Sequence, residues 1–370
     1  MKKYYKYIVL IVLVGVGGLI YVNNRNSDEN DVIKIGMVGP FSGPASSFGD
    51  FMQRGMDIAM DGLSASERSH YKIIKEDDKC SGQGGVSAVQ KLITVDKVNY
   101  IIGPLCNEAS ISTESLFEDN SVISISIGLP SNRIANMGPN HFVFSPEIEY
   151  LMKDITQEMK RENLKRVAVI HMQSSFEDEN YKHFVKYFTD NGGSIVADEA
   201  EVKGMSDFKT SVLKIKESNP DSLMIIAYGG DLNNILKEMN LQGINNLPKF
   251  GIHAVQTPNI DMKLAEGLIY AYSKDKTANE AGRAYAEKYE SRYGTDPDLS
   301  SSNVYDAFNI LKDSIAVCGY ANKDCVRNKL ASLNNYQGAN GSLSVDSRGV
   351  GVYKEIMLKT IKGGKFVEVR

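Results

Sequence analysis

The sequence predicts an α/β protein with two doubly wound parallel-sheet lobes, preceded by one N-terminal hydrophobic helix. Three observations carry this expectation. The chain has 370 residues, more than one ordinary domain and enough for two cores. Strand-like and helix-like patterns alternate along it in two series, the signature of parallel sheets with helices on both faces. Ahead of them stands an uncharged apolar segment behind three lysines.

That segment, "MKKYYKYIVLIVLVGVGGLIYVNN", places Lys2, Lys3 and Lys6 before an apolar run from Tyr7 to Val22, the pattern of an export signal. No A-x-A-like cleavage site stands in "GLIYVNNRNS", and no cysteine is there to accept a lipid. Residues 1–22 are therefore either a signal peptide or an uncleaved membrane anchor, although the run falls a little short of the ~20 residues a spanning helix needs. The lysines hold the start in the cytoplasm and leave the remainder outside. Residues 23–30 form a polar, acidic tether.

The first series opens with "IKIGMVGPFSGPASSFGDFMQRG", a strand at Ile33–Val38 running into a Gly/Ser loop. Gly36, Gly39 and Gly43 are too widely spaced for the G-x-G-x-x-G dinucleotide turn, and no G-x-x-x-x-G-K-[ST] run occurs. The loop is either a strand-to-helix turn that needs glycine or a polar rim for a small ligand. Further strands are expected at Tyr71–Glu76, Tyr100–Ile102 and Val122–Ile127, with helices near Asp50–Leu63, Gly85–Thr94 and Ser110–Glu118. In the first helix Phe51, Gly55, Met56, Ala59, Met60 and Leu63 fall on one face, as core packing against a sheet requires.

The second series runs helix Tyr150–Arg161, strand Arg166–Ile170, helix Asp178–Asn191, strand Ser194–Glu201, helix Ser206–Glu217, strand Ser222–Ala227, helix Leu232–Leu241 and strand Phe250–His253. Helices follow near Ala278–Tyr293, Asn303–Val317 and Asp324–Leu333. "NG" at Asn340–Gly341 and "GG" at Gly363–Gly364 then separate alternating runs, so the chain ends in antiparallel hairpins.

Composition excludes several functions. A net charge of -4 leaves no basic footprint for nucleic acid. The five histidines are scattered, without an H-E-x-x-H pair, and "GPFSG" holds its serine in the wrong place for a nucleophile elbow. Acidic bunches in "DDKC" and "FEDENY" lack the spacing of a hard-metal loop. Neither cofactor, metal nor catalytic residue is expected. Cys80, Cys106, Cys318 and Cys325 are an even count in an exported chain, which favours disulfides; for the last two, separately buried thiols remain the alternative.

The stretches "IKIGMVGPFSGPASSFGDFMQRGMDIA", "KEDDKCSGQGGVSAVQKLI" and "YIIGPLCNEAS" together resemble the leucine/isoleucine/valine-binding proteins of ABC importers, the type I periplasmic binding proteins. "VAVIHMQSSF" and "FKTSVLKIKESNPDSLMIIAYGGDLNNILKEMNLQGI" extend the resemblance over nearly the whole chain after the tether. It implies two lobes joined by a three-strand hinge, divided as 31–147 plus 275–334 and 148–274 plus 335–370. It also implies a Cys80–Cys106 bridge between neighbouring loops.

Function follows from the same resemblance: a monomeric solute-binding protein outside the cytoplasmic membrane, closing on a small polar or amphipathic solute and presenting it to a membrane permease. Expected contacts are Ser42, Phe48, Asn107, Gly128, Leu129 and Pro130 from the first lobe, with Phe176, Asp231 and the stretch Ala254–Gln256, including Gln256, from the second. Phe48 and Phe176 suit an apolar or planar ligand part, or pack at loop bases. Asn107 and Gln256 bond an amide or carboxyl, or cap their own loops. Asp231 supplies a carboxylate or caps its helix.

Amino-acid binders of this kind clamp the ligand carboxylate with hydroxyls and hold its ammonium with a Tyr and a Glu. At those positions this chain has Asn107 and Pro130, then Asp231 and Ala254. A buried ammonium without its charge partner costs several kcal/mol, which argues against an ordinary branched-chain amino acid. A membrane-anchored sensor module of the same fold is the alternative function, and an exported enzyme the remote one.

Overall fold

In the computed structural model, which describes residues 32–257, 259–273, 279–353 and 356–369, the first series becomes a five-stranded sheet. Its strands are β1 (Ile33–Gly39), β2 (Tyr71–Asp77), β3 (Tyr100–Ile102), β4 (Ile123–Ser126) and β5 (His141–Val143), in the spatial order β2-β1-β3-β4-β5. The β1–β3, β3–β4 and β4–β5 pairs are parallel. Helices α1 (Ser46–Asp61), α3 (Gly82–Lys91) and α4 (Asn107–Asp119) alternate with the strands. Tyr100, Ile101 and Ile102 are fully buried, as a strand covered on both faces requires. The described part of a separate small unit is Val32 and Ile33 with Leu63–Lys72. There helix α2 (Ala65–Ser69) starts on a capping box between Ser64 and Glu67, and Ile33 N–H donates to the His70 carbonyl at 2.7 Å.

The second series builds a seven-stranded sheet of β6 (Arg166–Met172), β7 (Ser194–Glu201), β8 (Ser222–Ile226), β9 (Lys249–Gly251), β10 (Ile269–Ser273), β14 (Ile356–Lys362) and β15 (Lys365–Glu368). Their order is β15-β14-β10-β9-β8-β6-β7. The inner pairs are parallel, whereas β14 and β15 add antiparallel to the edge at β10. The β14–β15 turn is Gly363–Gly364, both at positive φ, the hairpin chemistry expected from the dipeptide. Helices α5 (Ile148–Arg161), α6 (Ser175–Asp190), α7 (Lys209–Glu217) and α8 (Gly229–Leu241) accompany this sheet. Val167–Ile170 and Leu223–Ile226 form its buried centre, with Leu151 and Ile155 of α5 and Phe184 and Phe188 of α6 in the same cluster.

Between β10 and β14 come α9 (Glu280–Tyr293), α10 (Leu299–Cys318), α11 (Lys323–Ala331) and a small antiparallel sheet of β11 (Tyr336–Gly338), β12 (Gly341–Val345) and β13 (Gly351–Tyr353). Helix α10 crosses α1 so closely that a Cβ on Gly55 would stand 2.1 Å from the Ser301 carbonyl oxygen. Two disulfides are formed. Cys80–Cys106 ties the loops after β2 and β3, and Cys318–Cys325 ties α10 to α11, which settles the pair that spacing alone left open.

The assignment of all of 335–370 to the second series differs from these contacts. Asp306 of α10 accepts the Ala339 and Asn340 N–H groups, Asn340 Nδ2 donates to Asn303, and Val350 bridges Val143. Residues 336–353 thus stand against α10 and β5, because the buried Asp306 carboxylate needs the hairpin's donors. The expected N-terminal helix at 1–22, the tether and the crossing at 274–275 lie outside the described residues. Among the described residues, no helix is long and apolar enough to cross a membrane.

Candidate functional site

In both sheets the strand order turns outward from an interior pair, β1 and β3 in one, β6 and β8 in the other. Connections leave such a pair toward opposite faces, so a crevice opens beyond its carboxyl ends. One cavity collects the loops of both crevices, with about 620 Å³ of atom-free space counting its open mouth. Ala45 and Phe48 follow β1, Leu105, Cys106, Asn107 and Glu108 follow β3, and Ile127, Gly128 and Leu129 follow β4. From the other sheet come Ser174 and Phe176 after β6, Lys203 after β7, Tyr228 after β8, and His253 and Ala254 after β9. Leu299 and Ser300 add the start of α10, and Cys80 brings the disulfide into the wall.

Local sequence explains the shape. Helices α1, α4, α6 and α8 begin on Ala45, Cys106, Ser174 and Tyr228, none of which makes a side-chain cap bond. All four cap residues line the cavity, so the positive ends of four helices are directed to it. At the floor, a Cβ on Gly128 would meet the Leu105 carbonyl oxygen at 2.0 Å, so only glycine allows β4 and β3 loops this proximity.

The walls are aromatic. Phe48 meets Tyr228 edge-on at 5.7 Å, Phe176 meets Tyr228 at 6.4 Å, and Phe176 meets His253 at 5.6 Å. Burial lowers the His253 pKa to about 3, so its ring is neutral. The cation is Lys203. Its ammonium donates to the Tyr228 hydroxyl at 2.6 Å and pairs with Glu177 at 3.2 Å. Burial opposes the Lys203 charge, but Tyr228 and Glu177 outweigh it and hold the ammonium above its ordinary pKa. Burial raises the Tyr228 pKa in turn. Glu177 is fully buried and also accepts from the Ser174 hydroxyl. Across the cavity, the Ser175 hydroxyl donates to Glu108 at 2.8 Å. Asn107 is buried, and its Nδ2 has no hydrogen-bond partner among the described residues.

Residues 32–364 match the family described as periplasmic binding protein. The chain belongs to that family. Among its curated relatives, the Leu/Ile/Val-binding protein of Citrobacter freundii is 22% identical over 344 residues, 90% of this chain and 92% of the relative. A leucine binding protein from Thermotoga maritima matches in structure with a TM-score of 0.85 at 20% identity, over 92% of this chain and 98% of its own. A solute binding protein from R. palustris, solved in complex with benzoate, matches with a TM-score of 0.82 at 20% identity, over 91% and 95%. These structural likenesses bear on the fold.

In this periplasmic binding protein the cavity unites Phe48, Asn107, Gly128, Leu129, Phe176 and Ala254 of the residues anticipated from sequence. Four others stand elsewhere. Ser42 is exposed and its hydroxyl donates to Asp77. Pro130 belongs to a different hollow, with Glu147 and Arg348. Asp231 is neither a cap nor a wall residue: it sits inside α8 and its carboxylate accepts the Gly204 N–H at 3.1 and 3.2 Å. Burial raises its pKa despite that bond. Gln256 accepts from the Tyr270 hydroxyl at 2.9 Å and from Lys359 at 3.4 Å in the core. Sequence reasoning missed Lys203, Tyr228, Glu108 and His253. Each lies within two residues of a β-strand's end or opens a helix, the position where a ligand contact is expected in open α/β sheets. Among the described residues, no group of three His, Cys, Asp or Glu could hold a metal ion.

Proposed function

We propose that this chain is the solute-binding component of an ABC importer, acting outside the cytoplasmic membrane and holding one small polar or amphipathic solute between its two sheets. The observation that carries this is the convergence of both switch points on one cavity walled by loops of both sheets. The proposed lobes are about 32–147 plus 279–353 and about 148–273 plus 356–369, with the permease as the partner of the closed form. A grip built from two halves responds to its occupant: the solute favours closure by its extra affinity for the closed arrangement and by nothing else. The Ser175–Glu108 bond and the Phe48–Tyr228 contact join the two halves in that arrangement.

No catalytic step is assigned to the site. Its charged groups, Lys203, Glu177 and Glu108, are engaged with one another or with neighbouring hydroxyls, an arrangement for holding rather than for proton transfer. Relatives named for leucine, isoleucine and valine, and a structural neighbour solved with benzoate, support small organic solutes as the class. The test is mass spectrometry of molecules released when the purified protein is denatured, followed by calorimetry with each one. One solute binding at a single site per chain, without turnover, is the expected result; conversion of the bound compound would replace this reading with an enzymatic one.

A further inference from the structure

The polarity of the cavity goes beyond solute binding in general, and the inference rests on that reading. We infer that the solute is a monocarboxylate with a flat apolar body, its carboxylate held by Lys203 and Asn107, and that a zwitterionic amino acid or an amine is a poor ligand. Four observations meet here. Lys203 is a permanent cation on the wall. Asn107, 4% exposed, has an unpartnered Nδ2 donor at the same cavity. The uncapped starts of α1, α4, α6 and α8 add positive dipole ends. Phe48, Phe176 and Tyr228 offer ring faces and edges to an apolar body.

The carboxylates near the cavity argue the same way. Glu177 is committed to Lys203 and the Ser174 hydroxyl. Asp231 is committed to the Gly204 N–H and is off the wall. Glu108 is the wall carboxylate, and it accepts from Ser175 on the opposite side. An incoming ammonium would find that carboxylate already accepting a hydroxyl and would have to break the bond to pair with it.

The experiment is calorimetry of the purified protein against benzoate, phenylacetate, L-phenylalanine, L-leucine and 2-phenylethylamine. The carboxylates are expected to bind at least about tenfold more tightly than the amino acids, with 2-phenylethylamine weakest. Lys203→Met/Glu177→Gln removes both charges together and leaves neither buried alone; it should weaken benzoate by about tenfold or more while the thermal transition is retained, since a charge-assisted bond is lost. Amino acids or the amine binding more tightly than the carboxylates overturns the inference and leaves solute binding standing, as does wild-type benzoate affinity in the folded double variant. Failure of the whole panel, together with no small molecule released on denaturation, overturns both.

Discussion

The Lys203 ammonium lies 2.6 Å from the Tyr228 hydroxyl and 4.4 Å from the centre of the same ring. The ammonium thus lies just beyond the hydroxyl end of the tyrosine, which accepts its hydrogen bond, while Glu177 behind it neutralises the charge from a fully buried position. The two partners hold the half-exposed Lys203 ammonium in place as a donor on the cavity wall.

Replacing the cation should expose the dependence of Glu177 upon it. Lys203→Met leaves that carboxylate buried without its ion pair, a change that costs several kcal/mol in a sealed interior. The Lys203 side chain keeps 39% exposure, so a smaller loss of about 2 kcal/mol is expected. Urea unfolding measures it, and Lys203→Met/Glu177→Gln should recover most of the loss. An unchanged midpoint in the single variant would mean that the pair contributes nothing.

The bond between Ser175 and Glu108 joins helices of the two sheets. Ser175→Ala removes one net hydrogen bond from the closed arrangement, about 1 kcal/mol or roughly fivefold in affinity for the bound solute. Thermal stability without solute should scarcely move. Calorimetry and a melting curve separate the two effects; a large fall in melting temperature with unchanged affinity would place the bond in the fold and outside the closing step.

The two disulfides should differ in worth because they close loops of different length. Cys80–Cys106 spans 26 residues and Cys318–Cys325 spans 7, giving about 3.5 and about 2.5 kcal/mol in the chain-entropy account. Paired Cys→Ser variants unfolded in urea provide the comparison. The first pair also stands in the cavity wall, so its removal should weaken the solute as well, which removal of the second should not.

Asp306 should make stability depend on pH. It is wholly buried, its carboxylate accepts Ala339 N–H at 2.8 Å and Asn340 N–H at 3.4 Å, and burial raises its pKa from 3.8 to about 7. A carboxyl raised on folding stabilises the fold most when protonated, below its unfolded value. That contribution is lost as pH rises toward about 7 and is flat above. His141 and His253, lowered by burial to about 4 and about 3, work in the opposite sense and cost stability as pH falls below about 6.5. Asp306→Asn isolates the carboxyl: relative to wild type, the variant should gain up to about 4 kcal/mol between pH 4 and pH 8. A constant offset across that range would assign the pH dependence elsewhere.

The β-α alternation was legible because buried parallel strands such as Val167–Ile170 and Leu223–Ile226 are unbroken apolar runs. Helix starts were less so: several were expected too late, whereas α7, expected from Ser206, begins only at Lys209. The helices expected at Asp50, Gly85, Ser110, Asp178 and Leu232 begin at Ser46, Gly82, Asn107, Ser175 and Gly229. Their first turns carry Gly, Ser and Asn without apolar periodicity; those of α1, α4 and α6 line the cavity, while Gly85 of α3 packs closely against Ala109. The same turns hold much of the candidate site, which explains why Tyr228 and Glu108 went unnoticed. Asp231 misled for the opposite reason: an acidic residue near a helix start suggested a ligand or a cap, whereas its carboxylate fastens the loop at Gly204. The commitment of 336–353 to α10 depends on Asp306 meeting Ala339, a contact across more than thirty residues that no local pattern announces.

The proposed function requires one small solute held where the two switch points meet. A crystal structure of the protein grown with its co-purified solute should show a single molecule in contact with Phe48, Asn107, Lys203 and Tyr228, enclosed by loops of both sheets. A solute bound at another surface, with this cavity filled by its own side chains, would contradict it.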